Sequence, residues 1–276
     1  MVISLLALQF TKTARSQVGI ANELDQRIRA QLVVYSTMSE VIFLQLSDII
    51  RVSASSELQS SSPDLNLYGQ EIEWHNGAKV SVNDLNGLLP QMFPHHPLWS
   101  KFLLARGLSE QDVERYLGIW SDFQDPDFSS WLRGDVEPLT LQTGEGYLDG
   151  FSQTEDPLRW IFADQSDLTS QLLTVSDLDA PLETNIYNSP ATLIRAVLSD
   201  SLSDRIISGR SSSLVNRHEL TQYIRGELGV FEYTVSNSRR RKISISFSDS
   251  VVSYSQTWKI ELNTDTDPPF EIVQKN

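Results

Sequence analysis

VISLLALQFTKTARSQVGIANELDQRIRAQLVVYSTMSEVIFLQL, residues Val2 to Leu46, contains no proline and a single glycine, Gly19. It begins with an almost wholly apolar run, Val2 to Phe10. Past Lys12 the pattern turns amphipathic. Ile20, Leu24, Ile28, Leu32, Tyr35, Ile42 and Leu46 recur at helical spacing, with Met38 beside the same stripe. Arg15, Asp25, Arg27, Arg29 and Glu40 fall on other faces. A helix of this length runs about 65–70 Å, whereas an ordinary globular helix has about 11–12 residues. One end is apolar all round and the other on one stripe. The pattern predicts an N-terminus held in an apolar environment and a second half packed on a domain.

The whole chain has 276 residues and a 40% hydrophobic fraction, enough to build a sizeable core. Its net charge of -14 disfavours phosphate backbones, so no nucleic acid is expected as a partner. There is no cysteine, which excludes disulfides, thiolate metal sites and cysteine nucleophiles. The N-terminal apolar run is shorter than the about 20 residues that span a bilayer. It also lacks the basic start and small-residue cleavage site of a signal peptide. Three readings of it stand: a buried helix end, an interfacial anchor, or the last part of a membrane segment.

Downstream of the helix, Ser53 to Asp64 is a serine-rich connector. Strand-like residues up to Trp74 and from Ala78 to Asn83 flank Asn76-Gly77, a strong hairpin signal. Pro94, Pro97 and the pair His95-His96 mark a loop, followed by a helix from about Leu98 to Arg106 closed by Gly107. Ser109 and the acids behind it open another helix, with Val113, Tyr116, Leu117 and Trp120 as its apolar face. A loop rich in Gly, Asp and Pro runs to about Asp156. Further helices are expected over Leu158–Asp164, Asp167–Val175, from Pro190 onward, Leu202–Ser208 and Leu220–Leu228. From Val230 the period becomes two. Strands are expected at Phe231–Val235, Ile243–Phe247 and Val252–Leu262, with Phe270, Ile272 and Val273 as a short edge. The order is long helix, small strand set, helical block, antiparallel strand set. It predicts an α+β domain whose two strand sets are separated by a helical insertion. The divisions are 1–52 for the helix, 53–85 for the first strands, 86–228 for the insertion and 229–276 for the closing strands.

Two segments carry a family resemblance. Asp84-Leu85-Asn86-Gly87-Leu88-Leu89-Pro90 precedes the helical block. Glu183-Thr184-Asn185-Ile186-Tyr187-Asn188-Ser189-Pro190-Ala191 leads into Thr192-Leu193-Ile194-Arg195-Ala196-Val197 within it. With Trp120-Ser121-Asp122-Phe123-Gln124-Asp125-Pro126-Asp127 between them, the chain resembles the type II secretion minor pseudopilin GspK (general secretion pathway protein K) family over essentially its whole length. It departs in lacking the family's Asn-Leu-Asn in the first segment, and in Tyr187 and Ser189 of the second. The resemblance implies a pilin-like fold, a long N-terminal helix on an antiparallel sheet with a large inserted helical domain. It implies no enzymatic activity. It implies a place at the tip of a periplasmic pseudopilus beside the I- and J-type minor pseudopilins, with the inner membrane reached through the N-terminal helix. Val2, Leu5, Leu6, Leu8, Phe10, Ile20 and Leu24 then become partner-helix contacts, and Val2–Phe10 the last part of a membrane segment whose start is missing. Residues before about Ile20 are expected to be exposed or against other subunits, and the later stripe to be covered by the chain's own sheet.

Asp122, Asp125 and Asp127 cluster in a loop at a helix end. Oxygen ligands on such a loop suit calcium, which some members of the resembled family bind, and they equally suit a solvated acidic turn. The spacing is not that of an EF-hand. Glu145, Asp149, Glu155 and Asp156 could add ligands, and Asp265 with Asp267 is a weaker second set. His95 and His96 are neighbours on an extended chain and point apart; with His75 and His218 they read as loop residues. Arg239-Arg240-Arg241-Lys242 reads as a charged hairpin turn that blunts an edge strand. Two other function classes compete: a hydrolase using a carboxylate pair such as Asp122 and Glu145, and a helix-hairpin-helix DNA binder over Asn185–Arg210. In the latter, Asp200 and Asp204 would oppose phosphate. No nucleophile elbow, P-loop or dinucleotide fingerprint is present.

Overall fold

The computed structural model describes residues 2–54, 65–124, 156–210, 217–228, 237–263 and 267–275. In chain order the elements are α1 (Val2–Ala54), β1 (Ile72–Glu73), β2 (Lys79–Asp84), β3 (Leu89–Pro90), α2 (Pro97–Ala105), α3 (Glu110–Gln124), α4 (Asp156–Ile161), α5 (Ser166–Val175), β4 (Ser176–Asp177), α6 (Ala191–Val197), α7 (Asp200–Gly209), α8 (Arg217–Leu228), β5 (Arg240–Ser248), β6 (Ser253–Leu262) and β7 (Phe270–Lys275). Single 3-10 turns stand at Leu85–Gly87 and Ile186–Asn188. The expected strand at Phe231–Val235 and the loop after Gln124 lie outside the described residues. The chain forms two compact units, one from 1–66, 71–82 and 242–276, the other from 67–70 and 83–241.

The first unit is a long helix on a sheet. Strand order is β1-β2-β5-β6-β7. The β1–β2 and β6–β7 pairs are antiparallel, with Ile72 opposite Val80 and Ile260 opposite Ile272. Period-two alternation puts Val80, Val82, Ile243, Ile245, Ile260 and Leu262 inward. The β1–β2 hairpin turns at Asn76-Gly77 as its sequence requires. Gly77 adopts a φ of 81°, open to glycine at little cost, and the Asn76 carboxamide oxygen accepts from the Ala78 amide. The hairpin is tied to α1 by side chains. The Trp74 indole donates to Glu40 at 2.7 Å, and Asn76 Nδ2 donates to the Thr37 hydroxyl at 2.8 Å.

Which face of α1 meets the sheet differs from the expectation. The buried face is Ala30, Val34, Thr37, Met38, Val41, Ile42 and Gln45. Of the stripe read from the sequence, Ile42 and Met38 are buried, whereas Ile20, Leu24, Ile28, Leu32 and Tyr35 stay exposed. Both rows have helical spacing, and they lie roughly a quarter-turn apart on the helix. The sheet takes the row of smaller residues. Trp258 of β6 is fully buried and meets the edge of the Tyr35 ring at 5.8 Å between centroids.

The second unit is built around aromatic side chains of α2 and α3 and of Phe162, just past α4. Trp99 and Trp120 meet edge-on at 4.8 Å between ring centroids, and Tyr116 stacks on Phe162 at 4.7 Å. Val113, Tyr116, Leu117 and Trp120 are all buried, as the helical spacing of α3 dictates. The helix ends follow their local chemistry. His96 Nδ1 accepts from the Leu98 amide at the start of α2, with Pro97 in the first turn. Gly107 beyond α2 has a φ of 91°. Ser109 caps α3, its hydroxyl accepting from the Asp112 amide at 3.1 Å. The short β3 and β4 run parallel, Leu89 opposite Ser176.

The basic run is not an edge turn. Arg240, Arg241 and Lys242 begin β5, which lies between β2 and β6 inside the sheet. Arg239 and Arg240 are exposed, but Arg241 is buried with a partner described below.

Candidate assembly surface

Helix α1 leaves apolar side chains uncovered, Leu8 and Phe10 near its start and a row from Ile20 to Leu32 further along. Leu8 and Phe10 are 71% and 76% exposed, and Ile20, Leu24, Ile28 and Leu32 between 46% and 63%. Single exposed leucines are ordinary; a row of this kind along one helix is the mark of a surface that another chain covers. Its flanks are charged and neutralised within the helix. Arg27 pairs with Glu23 and Arg29 with Asp25, each at 2.8 Å one turn apart. Of the residues expected to touch a partner helix, Leu8, Phe10, Ile20 and Leu24 are exposed. Val2, Leu5 and Leu6 belong to α1, and their side chains are outside what is described. No helix among the described residues is long and apolar enough to cross a membrane.

The two sequence segments that carry the family resemblance meet each other in the second unit. Asp84 caps the first 3-10 turn by accepting from the Asn86 amide, and Asn185 caps the second by accepting from the Tyr187 amide. The Asn185 amide donates to the Asn86 carbonyl at 2.6 Å. Gly87 lies so close that a Cβ there would overlap the Asn188 carbonyl. Asp84 also receives Asn188 Nδ2 at 2.5 Å, the Ser238 amide at 3.1 Å and the Arg241 guanidinium at 3.0 Å. Arg241 further donates to the carbonyls of Ser238 and Arg240. Burial raises the Asp84 carboxyl above its usual range against the pull of Arg241 and these hydrogen bonds, and burial lowers Arg241. A parallel arrangement holds Arg210. It stacks 4.2 Å over the Tyr68 ring, donates to the Ser189 carbonyl, and is lowered to about 10 by burial. Asp84 and Arg241 are buried, and their bonds fix chain segments to one another.

The candidate chemistry elsewhere is dispersed. Asp122 sits half-exposed in the last turn of α3, and Asp125 and Asp127 lie outside the described residues. So do Glu145, Asp149, Glu155 and Asp265, while Asp267 is exposed. Among the described residues no three His, Asp or Glu converge as a metal site. His95 Nε2 lies 3.1 Å from the Ser121 hydroxyl, whereas His96 Nε2 lies 3.2 Å from the Leu182 carbonyl. The two neighbours point to different partners, as an extended chain requires. His75 lies 3.7 Å from Glu40, and the side chain of His218 is outside the described residues. Over α6 and α7, Arg195 is within 3.8 Å of Asp204, so the basic residue there is matched by an acid of the same hairpin.

Sequence reasoning missed the inner row of α1 and the partner of Asp84. The first could have been found by scoring both apolar rows. For the second, the only local signal was an arginine at an alternating inward position of a strand.

No protein-family model matches the chain, and no curated protein sequence matches it. Its structure is similar to a chain in the crystal structure of the GspK-GspI-GspJ complex from the type 2 secretion system of enterotoxigenic Escherichia coli. The match has a TM-score of 0.53 at 10% sequence identity and covers 91% of this chain and 97% of that one. An α+β chain with a long N-terminal helix on an antiparallel sheet and a helical block between its strands, it has a pilin-like fold, shared with that chain.

Proposed function

We propose that the protein is a minor pseudopilin of a type II secretion system that assembles with I- and J-type pseudopilins at the tip of a periplasmic pseudopilus. The observation that carries this reading is the exposed apolar row of α1, on a helix whose other face is covered by its own sheet. The likeness of fold to a chain crystallised as a GspK-GspI-GspJ complex supports it. The protein's work is then association, not catalysis. The N-terminal apolar run would sit in the inner membrane before assembly and the sheet and helical units in the periplasm. Deleting the gene in its host should leave type II substrates trapped in the periplasm, and the wild-type chain should restore their export. Normal export without the protein would contradict the reading.

A calcium ion held by Asp122, Asp125 and Asp127 is a second part of the proposal, resting on the oxygen-rich sequence at the end of α3. Calorimetric titration with Ca²⁺ tests it. Heat that disappears in Asp125→Asn/Asp127→Asn supports the site, and no heat in the wild type removes it.

A further inference from the structure

The sequence holds two Asn-Gly pairs, Asn76-Gly77 and Asn86-Gly87. In such a pair the glycine nitrogen, with no Cβ on its own residue to shield it, can attack the carboxamide carbon of the asparagine. The two pairs stand in opposite surroundings.

Asn76-Gly77 is the tip of the β1–β2 hairpin. The Gly77 amide donates to the Trp74 carbonyl at 2.8 Å and the Trp74 amide to the Ala78 carbonyl at 2.6 Å, so His75, Asn76 and Gly77 form the loop. Gly77 is exposed. The Ala78 amide donates to Asn76 Oδ1 at 3.2 Å. That bond folds the carboxamide back along its own backbone. It also sets a donor on the oxygen that gains negative charge when its carbon is attacked. Strand β1 is only two residues long, so the tip opens at small cost. Asn86-Gly87 is held instead. The Asn86 amide donates to the buried Asp84 carboxylate at 3.2 Å, and its carbonyl accepts from the Asn185 amide at 2.6 Å. Gly87 is buried, with the Asn188 carbonyl where a Cβ would stand. Closing a ring there has to turn a peptide that is bonded on one side and packed on the other.

We propose that Asn76 is a site of spontaneous deamidation, that Asn86 is not, and that conversion of Asn76 unties the hairpin from α1. The Gly77 nitrogen bonds to Asn76 Cγ, the Cγ–Nδ2 bond breaks, and Nδ2 leaves as ammonia with the proton of the Gly77 amide. Water then opens the cyclic imide to aspartate or isoaspartate. Before conversion, Nδ2 donates to the Thr37 hydroxyl, which itself donates to the Val33 carbonyl, both at 2.8 Å. A carboxylate has no proton to give in its place. Thr37 and Glu40 are neighbours on one face of α1, so the new charge repels Glu40, the acceptor of the Trp74 indole. Isoaspartate also adds a backbone carbon between strands paired with Ile72 opposite Val80.

The test holds the native full chain at mildly alkaline pH beside the same chain in urea, and maps both by peptide mass spectrometry. The exchange of the Trp74 indole proton is followed by NMR. In urea both pairs are expected to convert. In the native chain conversion is expected at Asn76 alone, and the indole proton of the converted chain exchanges about five- to tenfold faster, the loss of one net hydrogen bond. Asn76→Asp made directly should show the same faster exchange, and Asn76→Gln, whose longer arm closes the ring far more slowly, should keep its mass. A native rate at Asn86 equal to or above that at Asn76, or an Asn76 that converts only in urea, would overturn the site. Conversion with unchanged indole exchange would overturn the untying.

Discussion

The carboxylate of Asp84 and the guanidinium of Arg241, 157 residues apart in sequence, meet at 3.0 Å with both side chains buried. Removing one member of such a pair leaves an uncompensated buried charge, whereas replacing both by apolar residues of similar size is often neutral. Asp84→Ala should therefore cost about 3–5 kcal/mol in urea unfolding. Asp84→Leu/Arg241→Met should recover most of that loss. A double variant as unstable as the single one would show that the hydrogen bonds from Asn188 and Ser238, not the charge pair, hold the segment.

Gly87 meets the Asn188 carbonyl where its own Cβ would be. Gly87→Ala should lower stability by about 1–3 kcal/mol, the range for overpacking a closed site. Thermal melting checks it, with Gly226→Ala as the control, since nothing lies within 4 Å of a Cβ there.

The choice of face on α1 is open to a paired measurement. Val34 is fully buried and Leu32 is 63% exposed. Val34→Ala should cost about 2 kcal/mol in the free protein, and Leu32→Ala less than about 0.5 kcal/mol despite removing more carbon. The reverse order would mean that the larger residues, not the smaller, lie on the sheet.

That pairing also marks how far the sequence could be read. The length of α1, the Asn76-Gly77 hairpin, the apolar face of α3 and the alternation of β5 and β6 all follow from local periodicity and turn chemistry. The orientation of α1 does not. Two apolar rows share the helical period, and the selection between them is made by the sheet, whose strands β5 to β7 lie about two hundred residues or more further along the chain. Arg241 was misread for the same reason. As part of Arg239-Arg240-Arg241-Lys242 it looks like a solvated turn, and only its alternate position in β5, opposite a buried Asp84, turns it inward. The exposure of Leu8 and Phe10 follows from the N-terminal apolar run, which the pattern separates from the later amphipathic stripe, whereas that of Ile20 and Leu24 does not, since they belong to the stripe expected on the sheet.

Asp249 gives a titration with a defined sign. Its carboxylate accepts from the amides of Val251 and Val252, both at 2.8 Å, which lowers its folded-state pKa below 3.8. A depressed carboxylate contributes stability above its unfolded value and loses it as pH falls through the folded one. Carbon-detected NMR should place the Asp249 midpoint below 3.8, and its turn should loosen only in acid beyond that point. A midpoint above 3.8 would mean that the two amide bonds do not persist in solution.

The most direct measurement is to mix the chain with the I- and J-type pseudopilins encoded with it and weigh the product by size-exclusion chromatography with light scattering. We expect one species containing all three chains, lost in Leu24→Lys. Three separate species at concentrations where the partners bind each other would contradict assignment to the pseudopilus tip.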